Sequence, residues 1–248
     1  MTRPEGTGRS SREMMSTAAL VISLLAYANV DAWAAFRRER AAERRGSHVA
    51  TSLNPVHGLM TLVFLGWAAL DGFSASELGL QRQGLRRSIG WGLALGVAGS
   101  AVIRLFFALP LAAKRAVTQP EYHHLSRARL LLLVFFQFLV GTSVFEEITF
   151  RGLLHAKLSR TFGTHHALVL GSAVFAGWHA VITAYNLRRS NLPRKLFPFM
   201  YVGAMAVLFV AGWLLGLLRV LTGHVGGGVL AHWMMVANVV LSVVGRRD

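Results

Sequence analysis

The chain has 248 residues, 54% of them hydrophobic and 15% charged, with a formal net charge of +15. Soluble domains carry about 25% charged residues, so this shortfall, with a mean hydropathy of +0.48, excludes an ordinary soluble module and points to a chain solvated by lipid. No cysteine is present, which removes disulfides, thiol nucleophiles and thiolate metal sites from consideration.

Taken in chain order, apolar runs fall at 17–36, 54–71, 88–112, 129–145, 165–185, 197–221 and 225–244. A helix needs about 20 apolar residues to cross a bilayer, and in lipid its backbone groups must bond to one another. The polar stretch 1–16 leads into the first run without a small-residue cleavage site. Residues 17–36 are therefore read as a first span, or as a helix beside the bundle, and not as a signal peptide. The run at 129–145 has no clean end, and its helical pattern continues through 146–158. The expected fold is all-α, a polytopic transmembrane helix bundle with about seven or eight membrane helices.

Arg and Lys sit mainly in the gaps at 37–48, 74–87, 114–129 and 186–195, where head groups and cytosol would receive them. The positive charge is thus accounted for by the lipid bilayer, with no nucleic acid as partner. With seven spans, a small excess of basic residues falls on the side of the C-terminus, which places that end in the cytoplasm. Gly92 with Gly96, and Gly212 with Gly216, have the spacing of closely packed membrane helices. Gly226, Gly227 and Gly228 allow a close backbone approach just before His232.

Charged groups are costly inside spans and gather in bundle interiors or wet cavities. Here they concentrate in 131–158. Glu146 and Glu147 are adjacent, about 100° apart on an ideal helix. Arg151 lies four residues after Glu147, so the two can pair on one face, and His155 continues that face. Alone, the Glu147–Arg151 pair reads equally well as a staple between helices. The second glutamate has no such structural need: one carboxylate held by arginine leaves its neighbour available as a base.

Two histidines stand in later spans. His179 follows Phe175 by one helical turn, and His232 lies in the glycine-led final run. Either could be a packed, hydrogen-bonded side chain. With a carboxylate, imidazoles can also orient and deprotonate water, bind a divalent metal, or donate to a developing oxyanion. Weaker candidates are Asp31, His57, Arg104 and Asn186, within or at the rims of spans. Asp71 and His224 read as helix-end groups, and His123 and His124 as solvated.

These residues resemble the CPBP family of intramembrane proteases, the CAAX prenyl protease and bacteriocin-processing group also called Abi. Its Glu-Glu-x-x-x-Arg motif stands here as Glu146, Glu147, Ile148, Thr149, Phe150 and Arg151, and its Phe-x-x-x-His motif as Phe175 to His179. The Leu-Gly-Leu at 78–80, followed by basic residues and a Gly-rich span, is similar to the family's segment before its core. The resemblance divides the chain into a variable N-terminal region, 1–75, with two membrane helices, and a protease core, 76–244. The third family motif, a histidine followed four residues later by Asn or Asp, is met only by His232, because position 236 is Val. Asn238 is the nearest asparagine, about 240° round an ideal helix from His232.

The resemblance implies an intramembrane metalloprotease-like endopeptidase of the cell membrane, multi-pass, acting on membrane-associated peptides. The substrates it suggests are a leader peptide, a bacteriocin precursor or a regulatory membrane protein. Glu146 would be the base that activates water, assisted by His179. His232 would face the oxyanion, and Glu147, Arg151, Phe175 and Asn238 would support. Metal dependence stays open: Glu146, His179 and His232 could hold a divalent ion such as zinc, or work as a glutamate-type site without one. Two other readings compete. A noncatalytic scaffold or immunity protein of the same fold is favoured by Val236. A proton-coupled carrier would use the same charges as a relay, although no internal repeat accompanies them.

Overall fold

The computed structural model describes residues 5–45, 56–109, 126–190 and 192–244; His123 and His124 lie outside them. Eight helices make up the described fold: α1 (Glu5–Arg44), α2 (Val56–Leu70), α3 (Leu85–Ala108), α4 (Arg127–Phe162), α5 (Thr164–Trp178), α6 (Ala180–Arg189), α7 (Phe197–Thr222) and α8 (Gly226–Val244). No strand occurs among the described residues, so the architecture is the all-α bundle expected.

Within α1, α3, α4 and α7 lie four segments long and apolar enough to cross a membrane. A fifth forms if the bent pair α5–α6 is one span, while α2 and the apolar part of α8 are shorter. Among the described residues, each of the seven apolar runs is helical over most of its length. The outer surface carries Leu59, Leu62, Val102, Leu105, Phe199 and Val207, each more than half exposed. In water such a surface would drive association; facing lipid tails it is matched to its solvent.

The helix α4 runs unbroken from the apolar run at 129–145 through the charged segment, as its pattern predicts. It is wider than an α-helix, with π geometry over Leu133–Val144 and Glu147–Leu154. Its i→i+5 bonding is rare and is frequent at functional sites. Glu146 falls at the junction of the two π stretches. Ser126 opens the helix, its hydroxyl accepting the Arg129 N–H at 3.3 Å, an ordinary N-cap.

Where the sequence reads one run at 165–185, the structure has two helices bent by 44°. The break falls on His179, whose φ of −93° and ψ of 4° leave the helical region.

The main core lies between α1, α2, α4 and α5. Leu20 and Leu24 of α1 are fully buried with Phe145 and Leu154 of α4, beside Phe64 of α2 and Trp178 of α5. The N-terminal helices thus pack into the same core as the charged helix. On the other side, α3 lies along α8. Small residues permit that contact: a Cβ on Gly227 would collide with the Ser88 carbonyl, and one on Gly96 would stand 2.7 Å from Met234 Sδ. The loop after α2 is clamped by Glu77, which accepts from Ser74 N at 2.9 Å and from Arg160. These donors, the Ser74 amide first, hold its carboxyl down at about 2.

Candidate active site

Three helices bring the candidate residues together. α4 supplies Glu146, Glu147 and Arg151; the α5–α6 break supplies His179; α8 supplies His232. Glu146 is 4% exposed, Glu147 0%, Arg151 3% and His232 6%. Ions buried this deeply persist only with partners that replace water, so each atom's partner decides its role.

Glu147 is the anchored carboxylate. Its Oε1 accepts from Arg151 Nη1 at 2.8 Å and from His232 Nδ1 at 3.0 Å. The arginine is fixed in turn: Nη2 donates to Gly212 O at 3.2 Å, and the guanidinium lies over the Phe175 ring, 4.3 Å from its centre, a cation–π contact. Glu147 Oε2 points at Gly228, where an added Cβ would stand 2.5 Å away. That close approach gives the third glycine of the triplet its physical reason.

Glu146 is held differently. Its Oε1 accepts from the Trp178 indole N–H at 3.3 Å. Its Oε2 is buried and has no hydrogen-bond partner among the described residues. That oxygen lies 3.8 Å from His179 Nε2 and 3.8 Å from His232 Nε2.

The partners of the other ring nitrogens assign the tautomers. His179 Nδ1 donates to the Phe175 carbonyl at 2.9 Å, and His232 Nδ1 donates to the Glu147 carboxylate. Both Nε2 atoms therefore face Glu146 Oε2; an unprotonated Nε2 turns a lone pair toward it, and a protonated one a donor. With both unprotonated, three electron-rich atoms facing one another are compatible only with a proton, a water or a cation among them. The residues that set each ring resemble the carboxylate and carbonyl supports of metal-bound histidines.

As a metal site, the donor chemistry suits zinc, but the spacing does not. Ligands bound at 2.0–2.1 Å in a tetrahedron stand about 3.3–3.4 Å apart, closer than these pairs. Among the described residues no group of three His, Asp or Glu has metal-holding geometry. Each 3.8 Å gap is longer than a direct hydrogen bond, so neither imidazole Nε2 is bonded to Glu146 Oε2.

The other sequence candidates fall elsewhere. Asn238 does not join the cluster: its Oδ1 accepts from Arg104 Nε at 2.8 Å, and its Nδ2 donates to Ser100 Oγ at 2.9 Å. Both partners lie on α3, on the side that the 240° offset from His232 predicts. His155 meets Ser159 at 3.3 Å. Asp71 pairs with Lys157 and Ser16, and Asp31 lies 4.0 Å from Arg38. His57 donates to Gly141 O at 2.6 Å and stacks on Phe145. His224, between α7 and α8, accepts from Gly226 N at 2.8 Å; burial, then nearby Arg219, pushes its imidazole down. Sequence reasoning assigned no role to Trp178 and read Gly212 only as a helix-packing glycine. A tryptophan in an apolar span needs a partner for its N–H, and that need was the available signal.

Residues 128–238 match the family described as Rce1-like, type II CAAX prenyl endopeptidase. No curated protein and no solved structure matches the chain significantly. The matched segment runs from α4 to α8 and contains both glutamates, the arginine and both histidines. Over that segment the chain is similar to the type II CAAX prenyl endopeptidases, which supports the resemblance to the CPBP family carried by Glu146, Glu147, Arg151, Phe175 and His179.

Proposed function

We propose that the protein is an intramembrane endopeptidase of the cell membrane that hydrolyses peptide bonds of membrane-associated substrates, with Glu146 as general base. One observation carries this reading: of two adjacent buried glutamates, Glu147 is neutralised by Arg151, while Glu146 keeps an unpartnered oxygen facing two histidine nitrogens.

In this mechanism a water lies between Glu146 Oε2 and His179 Nε2. Glu146 takes a proton from the water as its oxygen attacks the scissile carbonyl, forming the C–O bond. Negative charge moves to the carbonyl oxygen, beside His232. For His232 to donate there, its Nε2 must carry a proton, and Glu147 on Nδ1 stabilises the resulting imidazolium. Collapse breaks the C–N bond, and Glu146 returns its proton to the leaving amine. Burial strengthens each of these interactions relative to water.

The test compares full-length wild type with Glu146→Gln in liposomes, against a library of membrane-associated peptides. Cleavage by the wild type and a loss of about 10²–10⁴-fold in the variant is the expected result. Equal cleavage by both would reject Glu146 as the base. The site as built also predicts that 1,10-phenanthroline leaves the rate unchanged; inhibition reversed by zinc would return the three donors to a metal role.

A noncatalytic scaffold is the second reading, favoured by Val236. It stands one turn after His232, where the family pattern carries a polar side chain. If Val236 only slows a working site, Val236→Asn raises kcat by about tenfold or more, since one oxyanion donor supplies about 10²–10³. Wild type and Val236→Asn both inert toward the library would favour the scaffold.

A further inference from the structure

His179 interrupts what would otherwise be one straight span. A bend leaves C=O and N–H groups without their helical partners, and in lipid each must find another. The His179 N–H donates to Ala176 O at 3.0 Å, and His179 O accepts from Thr183 N at 2.9 Å. Two more groups are met by a single side chain from a different helix. Asn29 of α1 donates from Nδ2 to Gly177 O at 3.2 Å and accepts at Oδ1 from Val181 N at 3.1 Å.

The amide thus bridges the backbone two residues before His179 and two residues after it. Its Nδ2 also donates to Leu25 O, one turn earlier in α1, at 2.7 Å, which fixes the orientation of the amide. Leu25 lies 3.0 Å from where a Cβ would stand on Gly177, so α1 is close against the bend. Toward α6, Asn29 acts as an N-cap supplied from another helix. The task needs a donor and an acceptor on one short side chain, which asparagine has and leucine or aspartate lacks.

We infer that Asn29 is a positioning residue for His179, holding the bend that aims the imidazole Nε2 at Glu146. It lies outside the family-matched segment 128–238, so the N-terminal helix takes part in the site and is more than a lipid-facing appendage. The catalytic consequence rests on the hydrolytic reading above; the structural link between Asn29 and the ring does not.

The test uses the full chain with ¹³C-labelled histidine rings, the His179 resonance being assigned by its loss in His179→Gln. In Asn29→Leu the expected result is a shifted His179 resonance with that of His224 unmoved. With it, kcat falls by about tenfold or more and KM stays within about twofold, the pattern of a lost transition-state interaction. Asn29→Asp keeps the acceptor for Val181 N and falls between; it carries the test if the leucine variant does not fold. An unmoved His179 resonance, or a loss confined to KM, overturns the inference. If the wild type cleaves nothing, the hydrolytic reading fails, while the resonance still decides whether Asn29 sets His179.

Discussion

Glu146 and Glu147 are neighbours in sequence with opposite energetic roles. Glu147 shares one oxygen with Arg151 and His232, and removing the arginine leaves an uncompensated buried charge. Breaking a buried pair costs about 3–5 kcal/mol, so Arg151→Ala is expected to lower the unfolding midpoint in detergent steeply. Each carboxylate has one oxygen without a hydrogen-bond partner among the described residues. Glu146 alone has no arginine bonded to its other oxygen, and burying a carboxylate so poorly matched opposes folding. Glu146→Gln should therefore unfold at or above the wild-type temperature while losing cleavage, the trade expected where a site stores unfavourable electrostatics. Equal destabilisation by the two variants would contradict the division of roles. This asymmetry was partly visible in the sequence. The four-residue spacing identifies the pair, and the cost of a second carboxylate in lipid marks its neighbour. Which atoms of the histidines face that neighbour was not visible, because Nδ1 is assigned by Phe175 O and Glu147, on two different helices.

At the level of helices, the site depends on how closely α4 and α8 meet. Gly228 permits that approach, with Glu147 Oε2 against its backbone. Gly228→Ala must displace the carboxylate that holds Arg151 and His232. Overpacking of this kind costs about 1–3 kcal/mol, and the variant is expected to unfold earlier and cleave more slowly, with His232 displaced from Glu146. Wild-type activity and stability in Gly228→Ala would show that the helices have room to spare. The sequence marked the glycine triplet but not its counterpart, since contact between residues 147 and 228 belongs to the packing of two spans. The bend in α5–α6 was hidden for a related reason. No proline marks it, and the groups it frees are satisfied by Asn29, about 150 residues earlier. An asparagine in an apolar run fits equally well a helix contact or an interface group until its partners are known. The π geometry of α4 over Leu133–Val144 was also unreadable, because a run so uniformly apolar has little periodicity to betray a wider turn.

Across the whole molecule, lipid solvation and the buried charges form one design. The exposed leucines and valines match the bilayer, and the polar atoms they cannot accompany are drawn into the interior between α4, α5 and α8. α1 and α2 complete the core around Phe145 and Trp178, and Trp178 in turn holds Glu146 through its indole N–H. The central claim is that Glu146 acts on water as a base and does not itself attack the peptide. A single-turnover cleavage in H₂¹⁸O, with the new carboxyl terminus read by mass spectrometry, tests this directly. General-base hydrolysis predicts one solvent ¹⁸O in the product carboxyl from the first turnover. A first-turnover product carrying only ¹⁶O, with the label appearing in Glu146, would mean a covalent acyl-enzyme and would contradict the account.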